Sequence, residues 1–339
     1  MARLFRHGIG AIVVAIALLA PVQSSAPARA DQALDDDVRD LLPRLFLPIP
    51  PSMGLDPGKV TLGARLFEDP ILSKDRTVAC ASCHNLAIGG ADGKRVSAGI
   101  EGRQTKRNAM SVFNVGLQQD FFWDGRAQSL EDQIDGPIDS KDEMAGDWPV
   151  IVDRLSRDPA YRQSFKALYG GTISEATIKD AIVQYEKSLN TPESRFDEFL
   201  SGDTSALTQD ELKGLSQFVR LGCASCHQGM LLGADVFQKF GVYRPYDKST
   251  GAPDLGLYAV TGKDQDKLVF QVPSLRNVAL TAPYFHDGSE PDLAGAVRTM
   301  ARIQLNKTLD DRVVGYIVAF LKTLTGIPPD RGAPQQAKQ

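Results

Sequence analysis

All four cysteines of this 339-residue chain fall in two copies of one pattern, Cys80-Ala81-Ser82-Cys83-His84 and Cys223-Ala224-Ser225-Cys226-His227. Two thiols one helical turn apart can form thioethers with the two vinyl groups of a porphyrin, and the adjacent histidine points its imidazole at the iron from below. C-x-x-C-H is the attachment pattern of c-type haem. A thioredoxin-like redox pair has no need of the histidine, and a zinc site wants four ligands closer together in sequence. Two copies that use every cysteine predict two covalently bound haems c. Cys80, Cys83 and His84 would hold one, and Cys223, Cys226 and His227 the other.

Haem attachment of this kind takes place in the exported compartment, and the N-terminus carries an export pattern. Arg3 and Arg6 form a short positive region, Ile9 to Ala20 is a run of apolar residues and glycine, and Ala28-Arg29-Ala30 is a small-x-small cleavage pattern. The run falls short of the roughly 20 apolar residues that a membrane span needs. Residues 1–30 therefore read as a signal peptide, and the product is expected in the periplasm. With 42% hydrophobic and 24% charged residues the remainder is globular in composition. A net charge of −4 lacks the basic excess that a nucleic-acid partner requires.

The elements that must position these motifs read as mostly α. Ile178, Ile182, Tyr185 and Leu189 recur at helical spacing behind Ser174, a candidate N-cap. Thr208-Gln209-Asp210-Glu211 is a capping-box pattern that opens a helix running into the second cysteine motif. A final helix carries Val314, Ile317, Phe320 and Leu321 and stops before Pro328-Pro329. Five prolines in residues 43–57 predict an extended segment, and five glycines between Ile88 and Gly102 predict a long loop after the first motif. Breaks at Asn190-Thr191-Pro192 and Ser201-Gly202-Asp203 place a boundary near residues 190–206. The expected organisation is a first haem domain over 31–198 and a second over 199–339.

Several further motifs carry a resemblance. Phe122-Trp123-Asp124-Gly125-Arg126, Gln133, Gly136-Pro137-Ile138 and Glu143-Met144 resemble the bacterial di-haem cytochrome c peroxidase and MauG superfamily. So do Arg107-Asn108, Leu275-Arg276-Asn277-Val278 and Pro283-Tyr284-Phe285-His286-Asp287-Gly288, in the family's order from about Leu62 to Gly326. The resemblance implies two mainly helical c-type cytochrome domains, each with one haem, a calcium site between them, and hydrogen peroxide as oxidant.

It also implies roles. His227 would be the proximal ligand of a high-potential, electron-accepting haem, and Met300, 14 residues after His286, falls where the family places the distal methionine. A His/Met pair raises the iron potential because the soft thioether favours Fe(II). Met on an amphipathic helix is in general a core residue; its register with His286 favours the ligand. The MauG branch carries tyrosine there. His84 would be the proximal ligand at the peroxide site. Many family peroxidases block the other face of that haem with a loop histidine; the corresponding position here is Ile100, and no histidine lies between His84 and His227. An isoleucine has no donor atom, so an open haem is expected. Glu143 matches the catalytic acid–base position, Gln133 the polar position beside it, and Trp123 the indole between the haems. Asn108, Thr281 and Pro283 match the calcium positions, which act largely through carbonyls and waters, and His286 reads as structural or close to a haem propionate.

Three functions follow. A periplasmic peroxidase would reduce hydrogen peroxide to water with electrons from a small cytochrome c or cupredoxin; Met300 and Glu143 favour it. A MauG-like enzyme would use peroxide to oxidise Trp or Tyr residues of a partner protein; the missing loop histidine and Trp123 favour that reading, and Met300 opposes it. An electron carrier needs two six-coordinate haems, which the ligand count does not supply. Family peroxidases are often homodimers.

Overall fold

The structure, a computed structural model, describes residues 34–51, 53–246 and 253–329. The expected signal peptide lies outside the described residues. Twelve α-helices are assigned among those residues: α1 (Asp36–Leu45), α2 (Pro57–Glu68), α3 (Cys80–Cys83), α4 (Leu130–Asp139), α5 (Trp148–Arg157), α6 (Pro159–Tyr169), α7 (Glu175–Ser188), α8 (Arg195–Leu200), α9 (Gln209–Leu221), α10 (Tyr258–Thr261), α11 (Leu293–Leu305) and α12 (Asp311–Lys322). The sheet content is one antiparallel pair, β1 (Phe237–Lys239) with β2 (Val269–Gln271). The chain is mostly helical, as the sequence predicts.

Local signals account for the helix ends. The Ser174 hydroxyl accepts from the Thr177 N–H at the start of α7, and the Thr208 hydroxyl accepts from the Glu211 N–H at the start of α9. Gly222, at φ 98°, closes α9 in the left-handed conformation and delivers the chain directly into the second cysteine motif. Two expected non-helical stretches contain helix. Pro43, expected in an extended segment, lies inside α1, where its ring removes one backbone donor. What holds that helix is tertiary burial: Leu34, Val38, Leu42 and Phe46 recur every four residues and are all buried in the core formed with α9 and α12. Likewise α8 forms within residues 190–206 because Ser194 and Asp197 make a capping box and Phe196 is fully buried in that core.

Two helix crossings are built on one plan. Gly63 of α2 lies so close to α7 that a Cβ there would meet the Ala181 carbonyl, and Gly214 of α9 lies in the same way against the Tyr316 carbonyl of α12. After each motif comes an asparagine in the left-handed conformation that opens a 3-10 turn: Asn114 (φ 62°) before Val115–Leu117, and Asn277 (φ 60°) before Val278–Leu280. Asn114 N–H donates to Leu189 O beyond α7, and Asn277 N–H donates to Leu324 O beyond α12, both at 3.0 Å. Residues 108–125 and 271–288 thus form a structural repeat that pairs Trp123 with His286, Asp124 with Asp287 and Asn108 with Gln271.

The two copies meet at Thr191. Its hydroxyl accepts from Asn114 Nδ2 and from Asn277 Nδ2, both at 2.8 Å, and all three residues are buried. Close by, Arg276 and Asp197 form an ion pair at 2.8 Å with side chains 1% and 5% exposed, and Arg276 also donates to Leu47 O and Met230 O. A valine at position 191 would keep the shape and remove the shared acceptor. Each orphaned buried donor costs about 1–3 kcal/mol. Urea unfolding of the haem-loaded Thr191→Val protein is expected to show a loss of about 2–5 kcal/mol; a loss below about 0.5 kcal/mol would remove the bridge from this account.

Candidate haem and peroxide site

In the first motif, α3 is a single helical turn with Cys80 and Cys83 at its two ends, and His84 follows as its cap. The second motif makes a 3-10 turn, Cys223–Ser225, with the same local tie: His84 N–H donates to Cys80 O at 2.9 Å and His227 N–H to Cys223 O at 3.0 Å. Each imidazole is anchored through Nδ1, which lies 3.3 Å from Gly90 O for His84 and 3.0 Å from Leu232 O for His227. A carbonyl only accepts, so Nδ1 carries the proton and Nε2 keeps its lone pair free. That is the tautomer a metal-ligating histidine needs, with the second-shell carbonyl fixing the ring plane. Burial holds both imidazoles neutral: His84 lies below its ordinary pKa, and His227 is lowered to about 4. None of the four cysteines forms a disulfide, and burial pushes the thiol up to about 12 at Cys80 and about 11 at Cys223.

Cys223, Cys226 and His227 open onto a cavity of about 1710 Å³, its mouth included, with apolar walls from Phe218, Val297, Ile317 and Leu321. Met300, on α11, lines the same cavity. Two thiols, a free imidazole nitrogen, a thioether and apolar walls are a donor set that fits a c-type haem. At the first motif Phe67 lies 6.5 Å from the His84 ring and 5.2 Å from Tyr185. There the repeat has one polar exception. Glu186 stands on α7 where Leu321 stands on α12, is 6% exposed, and is pushed up to about 8 by burial and then by Glu131.

Trp123 sits where the two copies of the repeat touch. Its indole N–H donates to Asn108 O at 3.0 Å, and its own carbonyl accepts from Gln271 N–H at 2.9 Å. The partner copy makes the mirror contact, Asn108 N–H to His286 O at 2.9 Å. The Trp123 and His286 rings lie 6.3 Å apart, edge to face. Beside this junction Arg107 pairs with Asp124 of the first copy and with Asp254, each at 2.6 Å. Asn108, Thr281 and Pro283 all lie on the wall of the large cavity, beside Trp123. Among the described residues no group of three or more His, Cys, Asp or Glu side chains is arranged to hold a metal ion; a calcium site of carbonyls and waters needs none.

On the other side of Trp123, Phe122 rests on α4 at Gly136, where only hydrogen leaves room for the ring, and Gln133 stands one turn earlier on that helix. Glu143 follows α4 in the loop before α5. Its carbonyl accepts from Ile100 N–H at 2.8 Å, and Gly99 packs on its backbone. Ile100 is 2% exposed. Burial raises the Cys83 thiol, a hydrogen bond to Ser97 opposes it, and the charges of Asp92 and then Glu143 raise it further. The pKa of Glu143 is itself raised, chiefly by burial, against the pull of Arg126 and a hydrogen bond to Ser140. The structure therefore ties the backbones of Ile100 and Glu143 together, with the Glu143 charge felt at Cys83. Sequence reasoning did not single out Gln271, Asp254 or the pairing of Trp123 with His286; the parallel of Phe122-Trp123-Asp124-Gly125 with Phe285-His286-Asp287-Gly288 was the available signal.

Residues 57–205 match a family model described as di-haem cytochrome c peroxidase. The chain is 46% identical over 274 residues to cytochrome c551 peroxidase of Nitrosomonas europaea, covering 80% of this chain and 81% of that protein. It is 32% identical over 302 residues to the methylamine utilization protein MauG of Methylorubrum extorquens, covering 85% and 84%. Among solved structures it superposes on a MauG-like protein associated with microbial copper homeostasis with a TM-score of 0.73 and 31% identity, over 84% of this chain and 95% of the other.

The Arg107 bridge makes a prediction about acid stability. Burial alone would raise Asp254, but the Arg107 hydrogen bond and charge hold it below the usual carboxylate range. A depressed carboxylate stabilises the fold above its unfolded pKa of about 4 and loses that contribution as pH falls below it. Arg107→Ala would leave Asp124, 8% exposed, as a buried charge with less compensation, at a cost of about 3–5 kcal/mol near neutral pH. Urea titrations at pH 7 and pH 3 are expected to show a gap between wild type and variant that shrinks in acid; an unchanged gap would contradict the assignment.

Proposed function

The chain belongs to the di-haem cytochrome c peroxidase family, a peroxidase-type oxidoreductase that takes peroxide as electron acceptor, and within that family we propose a periplasmic enzyme whose peroxide site stands permanently open. Two c-type cytochrome domains, 31–198 and 199–339, would hold one haem each, with α1 crossing from the first to pack on the second. Cys80, Cys83 and His84 would hold the peroxide-site haem, and Cys223, Cys226, His227 and Met300 the electron-accepting one. Bound there, the two haems supply the redox chemistry that splits the O–O bond and stores the incoming electrons. Asn108, Thr281 and Pro283 would carry a calcium ion at the junction.

The observation that carries this reading is the Ile100–Glu143 hydrogen bond. It ties the backbone of the loop position that corresponds to the blocking histidine to the backbone of Glu143, and the side chain at that position has no donor atom, which supports an open site. The Glu143 carboxylate would take a proton from the arriving peroxide and return it to the departing oxygen as water forms. Gln133 would orient the peroxide, and Trp123, fixed through Asn108 and Gln271, would relay electrons between the two haems. The electron donor would be a small cytochrome c or cupredoxin, the partner class that Met300 at the second site favours. A second reading, oxidation of Trp or Tyr residues in a partner protein, draws on the absent loop histidine and on the likeness to the MauG-like structure.

Glu143→Gln keeps the shape and removes the base, and its peroxide reaction is expected to slow by about 10²–10⁴-fold. Because the base works deprotonated and its pKa is raised, the wild-type rate should fall as pH drops through that raised value. The variant should lose this limb in stopped-flow pH profiles, and a retained limb would transfer the role to another group. In a second variant, Ile100→His, a ligand is offered to the open face. The oxidised protein should then turn low-spin in its visible and EPR spectra and need prior reduction to react. An unchanged spectrum would mean that Ile100 does not face the haem.

A further inference from the structure

From Trp123 a chain of aromatic rings runs to the surface. His286 lies edge-on to Trp123 at 6.3 Å, stacks on Phe270 at 4.2 Å and meets Phe240 at 5.2 Å. Tyr246 closes the chain, 6.1 Å from His286, 4.7 Å from Phe240 and 6.0 Å from Phe285. A second cavity, about 820 Å³ with its mouth, opens beside these rings and is lined by Phe240, Tyr246, Asp254, Phe270 and His286. Its rim carries Val242 and Tyr243, which are 48% and 64% exposed. The rings therefore reach from the junction of the two copies to solvent.

The carboxylate at the end of this chain differs from its counterpart in the repeat. Asp124 is paired with Arg107 and Arg126. Asp287 has no arginine or lysine in ion-pair range among the described residues; both of its carboxylate oxygens lie 3.3 Å from the Tyr246 hydroxyl, and Ser289 Oγ contacts the same hydroxyl. Burial pushes the Tyr246 phenol up to about 12, so at working pH it is neutral and must lose a proton when it loses an electron. A carboxylate hydrogen-bonded to a phenol, with no basic partner among the described residues, is placed to take that proton.

We propose that Tyr246 is a redox-active residue, the outer end of a ring path that carries an oxidising equivalent from Trp123 to the protein surface. This inference rests on the reading of Trp123 as the relay between the two haems. Reduction of one hydrogen peroxide to two waters takes two electrons and two protons; with no reductant added, one electron would come from Trp123, the other from the bound haems, and the protons from solvent by way of Glu143. Oxidised Trp123 is refilled by one electron from Tyr246, and the phenolic proton passes to Asp287. A neutral tyrosyl radical remains at the rim of the second cavity, where a one-electron reductant in solution can restore the phenol and take back the hole. The path would act when no donor protein is delivering electrons.

The test uses haem-loaded protein, fully oxidised, mixed with hydrogen peroxide without reductant and freeze-quenched for EPR, with and without ring-deuterated tyrosine. A radical signal that narrows on deuteration is expected. It should fall at least tenfold in Tyr246→Phe, which keeps the ring packing, and persist in Tyr185→Phe, which alters the tyrosine nearest the first motif. Asp287→Asn should slow its appearance. The peroxide-induced Soret change should be the same in Tyr246→Phe as in wild type. A normal Soret change with a radical undiminished in Tyr246→Phe, or with no tyrosine radical, would overturn this inference alone. Absence of any Soret change in wild type would overturn the open-site reading and this inference with it.

Discussion

The buried hydroxyl of Thr191, shared by Asn114 and Asn277, is the constraint on which the remaining geometry depends. Electron transfer slows exponentially with distance, so an enzyme with two redox sites must hold them at a fixed separation. Here each asparagine is tied to the end of its own long helix, Asn114 to Leu189 and Asn277 to Leu324, and both donate to one oxygen. A neutral hydrogen bond in water contributes little, but a buried donor without an acceptor is costly. The bridge therefore selects one relative placement of the helix pairs. The buried Arg276–Asp197 pair adds to that selection by leaving its charges uncompensated in any other arrangement.

Within that frame the repeat converts duplication into asymmetry. Trp123 and His286 occupy equivalent positions, receive equivalent backbone hydrogen bonds and face each other at the junction. Asp124 and Asp287 are likewise equivalent, yet one is neutralised by arginines and the other meets a phenol. Glu186 and Leu321 differ in the same way at the two haem positions. The common backbone places the sites, and substitutions at matched positions divide the work between them.

What the sequence made legible was local or covalent in origin. The two C-x-x-C-H motifs and the caps at Ser174 and Thr208 are short-range signals, and the structure has each of them in place. The helix through Pro43 and the helix at Arg195–Leu200 were not legible, because both exist for the sake of residues far away in the chain: Leu42 and Phe196 bury against α9 and α12. Glu143 and Trp123 carry a motif resemblance, whereas Gln271 and Asp254, which hold Trp123 and Arg107, carry none. A backbone N–H donor carries no side-chain signature, and an aspartate near a loop looks solvated until its arginine is known.

The central claim is that a carboxyl and an isoleucine with no donor atom share the face of the first haem, leaving it open. The most direct measurement is stopped-flow absorbance of the purified, fully oxidised holoprotein mixed with one equivalent of hydrogen peroxide and no reductant. An immediate Soret change is the predicted result. If the spectrum stays still until the second haem has first been reduced by one electron, another residue closes the site and the account built on Ile100 is wrong.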